Sequence, residues 1–386
     1  MSTAPSREHL GWPFFGPEHA RWADRVVEVA AGLRISHDDI DASCRSLVRE
    51  LGAAGVLEGC VARGEASAES IDSRTVCLAR ELLAWHDGLA DFVFAMQGLG
   101  TGAIALSGSD AMRTAVLPKV AAGEWIAGFA LSEVDAGSDV GAMQCAARRD
   151  GSSYVLDGEK TWISNGGIAD VYTVVARTGE APGTRGLSAF VVYADDPGFS
   201  VTERIEVMAP HPLATIRFDG CRIPEERLLG APGEGFKVAM RTLDIFRPSV
   251  AAAAIGFARR AFDESVVHTK TRAMFGGTLS DLQLTQGALG EMATAIDAAA
   301  LLTYRAAWTR DVKKEKTTSE AAMAKLTATE SAQQIIDRAV QLFGGRGVRR
   351  GEIVERLYRE IRSLRIYEGA TEVQKLIVAR EVLRDA

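Results

Sequence analysis

The sequence predicts an α+β protein that is mostly helical, with helical segments at both ends and an antiparallel β-domain between them. Apolar residues recur at helical spacing from residue 1 to about 125 and again from 235 to 386. Between 126 and 234 the period changes to two, and β-branched and aromatic residues come in short runs. Strands and helices therefore do not alternate, which disfavours a parallel sheet and a Rossmann domain. We predict domains of residues 1–125, 126–234 and 235–386.

The first segment contains two helical patterns and one glycine-rich stretch. Residues 43–51 and 73–83 carry Ala, Leu and Arg at helical spacing, so we predict helices there. The stretch Gly98-Leu99-Gly100-Thr101-Gly102 resembles a dinucleotide-binding loop, but no predicted strand precedes it and no ribose-binding acid follows in register. Close packing of a helix is therefore the preferred interpretation.

The middle segment divides into short strands separated by Gly, Pro and Asp. Residues 154–156 and 160–163 flank the dipeptide Asp157-Gly158, which predicts a hairpin with Asp-Gly in its turn. Further strands are predicted at 171–176, 187–193 and 215–218.

Long helical patterns return in the last segment. Predicted helices cover residues 248–268, 281–310, 319–343 and 371–383. They exceed the usual length of about 11–12 residues, which indicates helices packed in a bundle. Gly344-Gly345-Arg346-Gly347 follows one of them, so it is interpreted as a cap and turn, although a Gly-rich turn also lets a ligand approach the backbone.

Composition disfavours several classes of protein. The 44 basic and 51 acidic side chains give a net charge of −7, which disfavours nucleic-acid binding. We find no apolar run long enough to span a membrane and no secretory signal at the N-terminus, so no membrane insertion is expected. The five cysteines are widely spaced and the six histidines form no ligand motif, which predicts no disulfide framework and no metal site. A reducing cytoplasm is the expected location.

Five motifs carry more specific information. They are FALSEVDAGSD at 129–139, KTWISNG at 160–166, RAMFG at 272–276, QLFGG at 341–345 and IYEG at 366–369. In this order and at these separations, they resemble the acyl-CoA dehydrogenase family of flavoproteins. The resemblance extends from about residue 89 to the C-terminus, whereas the first 85 residues contribute little to it.

The resemblance implies a fold and a reaction. Family members have an N-terminal helical domain, a middle β-domain and a C-terminal four-helix bundle, and they bind FAD between the β-domain and the bundle. They remove one hydrogen from each of Cα and Cβ of an acyl-CoA thioester, which yields the trans-2-enoyl-CoA. A homotetramer, an acyl-CoA substrate and an electron-transfer flavoprotein as electron acceptor are therefore expected.

Glu368 matches the position of the base that takes the α-proton. Some relatives carry this base on the helix near Arg247, but Phe246 stands at the relevant position here, which favours Glu368. A site that excludes water would raise the pKa of such a carboxylate toward that of its task. Without the motif, Glu368 would be interpreted as a solvated turn residue before the last helix.

Two groups of residues match flavin-contacting positions. The group on the flavin's own subunit comprises Phe129, Leu131, Ser132, Trp162, Ile163, Ser164, Thr371 and Glu372. The group contributed by a neighbouring subunit comprises Arg272, Phe275, Gln283, Gln341, Gly344 and Gly345. Without the motifs, Trp162 would be interpreted as a core residue and Arg272 as an ordinary surface charge. With the motifs, Arg272 suits a pyrophosphate, because its planar guanidinium binds phosphate oxygens in pairs.

Substrate-contacting positions correspond to Ser138, Asp244, Arg247, Gly369 and Arg380. Asp244 and Arg247 could equally form a plain surface pair, since they stand three residues apart on a predicted helix.

The acyl group itself is less well specified. Phe92 and Phe94 predict a shortened pocket, hence a short, branched or cyclic acyl group, while Asp91 faces either a polar group or water. The segment offers no cation of the kind that dicarboxylyl-CoA dehydrogenases use nearby. An acyl-carrier-protein-linked dehydrogenase and an acyl-CoA oxidase stay open on the same scaffold, with a non-catalytic or DNA-binding relative as a remote alternative.

Overall fold

The computed structural model describes residues 4–62 and 71–384, which form helices, then strands, then helices, as predicted. The helices are α1 (Pro17–Gly32), α2 (Ile40–Ala53), α3 (Ser73–His86), α4 (Gly88–Ser107), α5 (Asp110–Ala121), α6 (Gly235–Thr271), α7 (Gln283–Trp308), α8 (Thr318–Phe343), α9 (Ile353–Leu364) and α10 (Thr371–Arg384). The strands are β1 (Ala127–Ala130), β2 (Ala146–Asp150), β3 (Ser153–Ser164), β4 (Val171–Arg177), β5 (Leu187–Tyr193), β6 (Phe199–Arg204), β7 (Leu213–Pro224), β8 (Leu228–Leu229), β9 (Ala273–Met274) and β10 (Gly277–Thr278). The predicted fold class is confirmed.

The chain packs as two compact units. Unit 1 contains Met1–Gly32, Asp72–Asp91 and Arg247–Ala386, and unit 2 contains Leu33–Ile71 and Phe92–Phe246. The first helical segment thus contributes residues to both units. The division into three domains stays a prediction.

Unit 1 is built on helices whose buried faces are rich in alanine. Its core includes Ala253, Ala300, Ala328, Ala332 and Ile336, all with less than 4% of their surface exposed. Alanine is the best helix former and its methyl side chain takes little space, so the backbones of α6, α7 and α8 can approach closely.

Unit 2 contains the β-sheet, whose strand order is β6-β7-β3-β2-β4-β5-β8. The pairs β2–β3, β3–β7, β6–β7, β4–β5 and β5–β8 are antiparallel. β1 joins β4 in parallel, and β2 meets β4 in parallel at a single residue pair. The sheet is therefore mainly antiparallel, as predicted, with a parallel addition at β4.

The predicted hairpin at Asp157-Gly158 is wrong. Both residues lie inside β3, and the turn comes earlier, where Asp150 pairs with Ser153. Gly158 instead adopts a φ of +134° at a shift in the β3–β7 register. Such a φ is accessible mainly to glycine, so the Asp-Gly signal marks a bulge that bends a long strand.

The glycine stretch at 98–102 lies inside α4, as the packing interpretation predicts. A Cβ at Gly98 would lie 2.5 Å from the Phe246 ring, and one at Gly100 would lie 2.7 Å from the Ala127 Cβ. Glycine is needed here because no side chain fits between the helix and these neighbours.

Helix α4 contradicts the expectation that the chain has no apolar run long enough to span a membrane. It is 20 residues long and apolar enough to cross a membrane by length and composition, the one such helix among residues 4–62 and 71–384. Within its most apolar window, 94% of the residues are buried inside the protein, a property shared with the core helices of globular domains.

All five cysteines are free thiols and all are buried. Burial raises the pKa of the Cys145 thiol to about 11 and that of the Cys221 thiol to about 12, so both are protonated at neutral pH.

Candidate active site

Glu368, the predicted base, lies in unit 1 in the loop between α9 and α10. Its backbone has a φ of +53°, and the following Gly369 has a φ of +91°. A non-glycine residue in the left-handed region costs of order 1–3 kcal/mol and persists only where its surroundings hold it. The conformation of Glu368 is therefore imposed by its neighbours.

A buried lysine and a buried glutamine hold this loop. The Nζ of Lys325, on α8, donates to the carbonyl oxygens of Tyr367 and Gly369, each at 2.6 Å. The Nε2 of Gln374, on α10, donates to the Gly369 carbonyl at 2.9 Å. The carbonyls on both sides of Glu368 are thus fixed by side chains from two helices.

The loop is also tied to α8 through Glu330. Arg365 donates two hydrogen bonds to the Glu330 carboxylate at 2.8 Å, and the Thr371 hydroxyl donates to it at 2.6 Å. Thr371 is buried, so in this structure its hydroxyl serves the loop, and its predicted contact with the flavin stays a prediction. Glu372 is exposed in the first turn of α10.

Glu368 as a residue is half-buried, and its Oε2 is buried without a hydrogen-bond partner among the described residues. Burial raises the pKa of this carboxyl; the charges of Arg80, Lys325 and Arg247 oppose that shift, and Asp91 adds to it. A solvated turn residue would keep both oxygens in water. Glu368 instead combines a raised pKa with an unengaged oxygen, as a proton acceptor requires.

A buried ion pair that no sequence motif marks acts on Glu368. Arg80 on α3 donates to both carboxylate oxygens of Asp91 at 2.8 Å, and its Nη1 donates to the Ser249 hydroxyl at 3.1 Å. Both charged residues are only 3% exposed. Of the two options for Asp91, a polar group or water, the structure selects the polar group. The sequence does carry a signal for this pair: Arg80 and Asp91 are charged residues within otherwise apolar helical patterns.

The predicted substrate residues differ in exposure. In unit 1, Arg247 is buried, Gly369 lies in the strained loop and Arg380 is exposed on α10. In unit 2, Ser138 is exposed and Asp244 is half-buried. The alternative of a plain surface pair is wrong for Arg247, because this residue is buried.

In unit 2, β1 and β3 bring two motifs together. The Thr161 N–H donates to the Ser132 carbonyl at 3.0 Å, and the buried Lys160 donates to the Leu131 carbonyl at 3.0 Å and to Glu133 at 2.8 Å. This contact places the half-buried Phe129, Leu131 and Ser132 beside the segment Trp162-Ile163-Ser164.

Trp162 is displayed by a distortion of β3. It has a φ of +61° where the β3–β7 register shifts, and its side chain is 57% exposed, so the core interpretation is wrong. Ile163 is 1% exposed, and its predicted contact with the flavin stays a prediction. An exposed indole beside the Ser132 and Ser164 hydroxyls suits a flat ring system with a polar edge, such as isoalloxazine.

The second predicted flavin group gathers at one end of unit 1. The His268 ring of α6 stacks on the Phe343 ring of α8 with centroids 4.1 Å apart, and the Arg272 N–H donates to the His268 carbonyl. These contacts bring Arg272 near the Gly344-Gly345 turn. All members of the group are exposed: Arg272, Phe275, Gln283, Gln341, Gly344 and Gly345.

Backbone strain coincides with the predicted site. Among the described residues, five non-glycine residues have a positive φ: Trp162, Asn165, Phe275, Lys314 and Glu368. Three of these, Trp162, Phe275 and Glu368, are site residues predicted from sequence motifs. Such strain concentrates at functional sites because it is kept where it serves a purpose.

Comparison with known proteins gives an independent result. The family models for the acyl-CoA dehydrogenase middle domain and C-terminal domain match residues 128–221 and 233–383. A probable acyl-CoA dehydrogenase of Mycobacterium leprae is 39% identical over 83% of each chain. The cyclohexane-1-carbonyl-CoA dehydrogenase of Geobacter metallireducens is 36% identical over 94% of each chain. The mitochondrial short-chain specific acyl-CoA dehydrogenase of Rattus norvegicus is 38% identical over 88% of this chain and 82% of its own.

Solved structures agree with these relatives. A chain in a structure of the electron transferring flavoprotein of Acidaminococcus fermentans has a TM-score of 0.90 and 33% identity, covering 96% of this chain and 99% of its own. The butyryl-CoA dehydrogenase of Megasphaera elsdenii has a TM-score of 0.88 and 28% identity over the same shares. The glutaryl-CoA dehydrogenase of Mycobacterium smegmatis in complex with FADH2 has a TM-score of 0.87 and 28% identity, covering 96% and 95%. The chain therefore belongs to the acyl-CoA dehydrogenase family and is an FAD-dependent oxidoreductase.

Proposed function

We propose that this enzyme converts a short, branched or cyclic acyl-CoA to the trans-2-enoyl-CoA, with Glu368 removing the α-proton. The observation that carries the proposal is the buried Oε2 of Glu368, which has no hydrogen-bond partner in the part of the chain that the structure describes, on a backbone held in the left-handed conformation. Its raised pKa lets the carboxylate hold a proton after the transfer.

The backbone N–H of Glu368 contributes a hydrogen-bond donor to the proposed reaction. This N–H has no hydrogen-bond partner among the described residues, so it can donate to a ligand. We assign it to the thioester carbonyl of the substrate, where negative charge develops as the α-proton leaves. One residue then supplies both the base and a donor to the developing enolate.

FAD supplies the acceptor for the β-hydride when it is bound. We assign its ring system to Trp162, Ser132 and Ser164 in unit 2, since these offer an exposed aromatic face and two hydroxyl groups. We assign the pyrophosphate and adenosine of a neighbour's FAD to the exposed group around Arg272 and Phe275 in unit 1. That assignment requires each cofactor to contact two subunits, and we propose that the subunits form a homotetramer.

Two observations support a small, uncharged acyl group. Phe92 is 8% exposed and stacks on His211 with ring centroids 4.5 Å apart, so we assign it as a rigid wall of the acyl pocket. Phe94 is fully buried, so only Phe92 supports a shortened pocket. Arg80 is a cation, but Asp91 accepts two of its hydrogen bonds, which leaves it poorly suited to a substrate carboxylate. The short-chain and cyclohexane-1-carbonyl relatives agree with this substrate class.

An electron-transfer flavoprotein is the proposed electron acceptor, and the cytoplasm is the proposed location. The neighbour named as an electron transferring flavoprotein structure is consistent with such an acceptor. The five buried free thiols are consistent with a reducing compartment.

A panel of CoA thioesters tests the substrate class. Butyryl-, isobutyryl-, cyclohexane-carbonyl-, palmitoyl- and glutaryl-CoA would be mixed anaerobically with the holoenzyme in a stopped-flow instrument, with bleaching of the flavin absorbance as readout. We expect the first three to reduce the flavin at least about tenfold faster than the last two, because pocket fit discriminates by roughly 10–200-fold. Faster reduction by palmitoyl- or glutaryl-CoA would refute the proposed substrate class.

Two further experiments distinguish the proposed enzyme from an acyl-carrier-protein-linked dehydrogenase and from an acyl-CoA oxidase. A butyryl thioester of acyl carrier protein that outperforms butyryl-CoA would make the enzyme a carrier-protein-linked dehydrogenase. Reoxidation of the reduced enzyme by oxygen as fast as by an electron-transfer flavoprotein would make it an oxidase. We expect neither result.

A further inference from the structure

Lys325 is unusual among the lysines of this chain. It is 1% exposed, and among the described residues only Lys160 is a comparably buried lysine. Lys160 has a hydrogen-bonded carboxylate partner, Glu133, at 2.8 Å. Lys325 instead gives its hydrogen bonds to two backbone carbonyls, Tyr367 and Gly369. Lysines are rarely buried without a close carboxylate partner, because desolvating an ammonium is costly.

The two carbonyls that Lys325 binds are the ones that flank Glu368. Both N···O distances are 2.6 Å, short for a hydrogen bond between nitrogen and oxygen. The Tyr367 carbonyl lies in the peptide bond that carries the Glu368 N–H, and the Gly369 carbonyl lies in the peptide bond after Gly369. The two contacts therefore hold both ends of the short segment that contains Glu368. Glu368 between them has a φ of +53°, which an L-residue adopts only under such constraint.

We propose that Lys325 is the positioning residue of the catalytic carboxylate: its ammonium clamps the carbonyls on both sides of Glu368 and thereby sets the direction of the Glu368 side chain and N–H. This inference rests on the proposed role of Glu368 as base. A single ammonium with three N–H donors can serve two convergent carbonyls at once, and its charge also stabilises the ionised carboxylate beside it.

The charges around the loop determine how removal of Lys325 should change the pKa of Glu368. The groups that act on Glu368 are Arg80 from α3, Asp91 from α4, Arg247 from α6, Lys325 from α8 and Tyr367 from the same loop. Burial lowers the pKa of Lys325 to about 8, the Glu368 charge opposes this shift, and Arg247 adds to it. The Lys325 charge in turn lowers the pKa of Glu368, so its removal should raise that pKa.

The test compares the holoenzyme with two variants. Lys325→Met keeps most of the side-chain length but removes the donors and the charge, whereas Lys325→Gln keeps an N–H donor group and removes the charge. Lys375→Met, which removes an exposed lysine on α10, is the control. The readouts are flavin content, the rate of flavin bleaching against pH, and exchange of the substrate α-protons with solvent followed by NMR.

We expect both Lys325 variants to retain FAD and to show pH profiles displaced to higher pH, since the rate rises as Glu368 loses its proton. The limiting rate of Lys325→Met should fall by about 10- to 100-fold, because small misplacements of reacting groups cost this much. Exchange of the α-protons should fall in parallel, and Lys325→Gln should lie between Lys325→Met and the wild type.

Other outcomes overturn the proposal. Profiles and exchange rates that match those of Lys375→Met would show that Lys325 does not position the base. A lower rate with no displacement of the profile in either variant would reduce Lys325 to a structural residue. The Glu368→Gln variant keeps the two hypotheses apart: if it is slow while both Lys325 variants are normal, only the positioning role fails, and if it is fast, the base assignment fails.

Discussion

Arg80 carries a positive charge into the unit that holds Glu368, and Asp91 offsets it. Without Asp91, the Arg80 charge would stabilise the ionised form of Glu368 more strongly, because Asp91 itself raises the pKa of Glu368. Asp91 therefore helps to keep the proposed base from becoming too weak. Its two hydrogen bonds at 2.8 Å also fix the start of α4 to α3 within unit 1.

The Asp91→Asn variant tests this balance. We expect the pH profile of flavin reduction to move to lower pH, the direction opposite to that of the Lys325 variants, because the pKa of Glu368 falls. Urea unfolding should show a loss of about 3–5 kcal/mol, since a buried arginine loses its carboxylate.

Asp110→Asn is the matched control, because Asp110 pairs with Arg113 at the surface with 78% of its side chain exposed. Such pairs contribute about 0–1 kcal/mol, and the pH profile should not move. A profile for Asp91→Asn that stays in place, or moves to higher pH, would contradict the account.

Glu368 and Trp162 could be found from the sequence because short motifs mark them, whereas no motif marks Lys325 or Arg80. The role of Lys325 depends on carbonyls more than 40 residues further along the chain, and no local pattern reports such a contact. A signal did exist: Lys325 stands four residues after Ala321 and three before Ala328, both buried, so helical spacing puts a lysine on the buried face of α8.

At the scale of elements, the sequence predicts helices well where the pattern is long. α8 was predicted at 319–343 and is found at Thr318–Phe343. β3 was misjudged because a Gly with positive φ serves a turn and a bulge equally well, and only the β7 partner distinguishes them. α9 is absent from the predicted helices although Val354, Leu357 and Ile361 stand at helical spacing on its buried face, a pattern that predicts an amphipathic helix.

The close approach of α4 to β1 yields a second prediction. In Gly100→Ala, the new Cβ would lie 2.7 Å from the Ala127 Cβ and 2.9 Å from its carbonyl carbon. Since a backbone cannot move aside cheaply, we expect a loss of stability of about 1–3 kcal/mol. Thermal unfolding followed by circular dichroism measures it.

Gly290→Ala provides the comparison within another helix, α7. A Cβ there meets nothing within 4 Å, so the substitution should stabilise the protein by about 0.5–1 kcal/mol through helix propensity. If Gly100→Ala is as stable as Gly290→Ala, then close packing is not the reason for the glycine in α4.

For the whole molecule, assembly and cofactor binding should be linked. Phe275 is 90% exposed and Leu284 is 91% exposed in a single chain, beside the Arg272 group. If a neighbour's FAD covers this end of unit 1, binding and association stabilise each other. Phe275→Asp should then lower both the flavin content and the fraction of tetramer, measured by light scattering after size-exclusion chromatography.

Val201→Asp adds the same charge at a 38% exposed position on β6 and should change neither quantity. A Phe275→Asp protein that is monomeric and still holds one FAD per chain would contradict the shared site.

The central claim is that Glu368 removes the α-proton, and the Glu368→Gln variant tests it most directly. Glutamine keeps the shape and the backbone N–H but removes the base, so FAD and acyl-CoA should still bind. Stopped-flow bleaching of the flavin by a good substrate should slow by at least about 10²-fold, since general-base steps contribute typically 10²–10⁴-fold. A variant that reduces its flavin within a few-fold of the wild type would show that the base lies elsewhere.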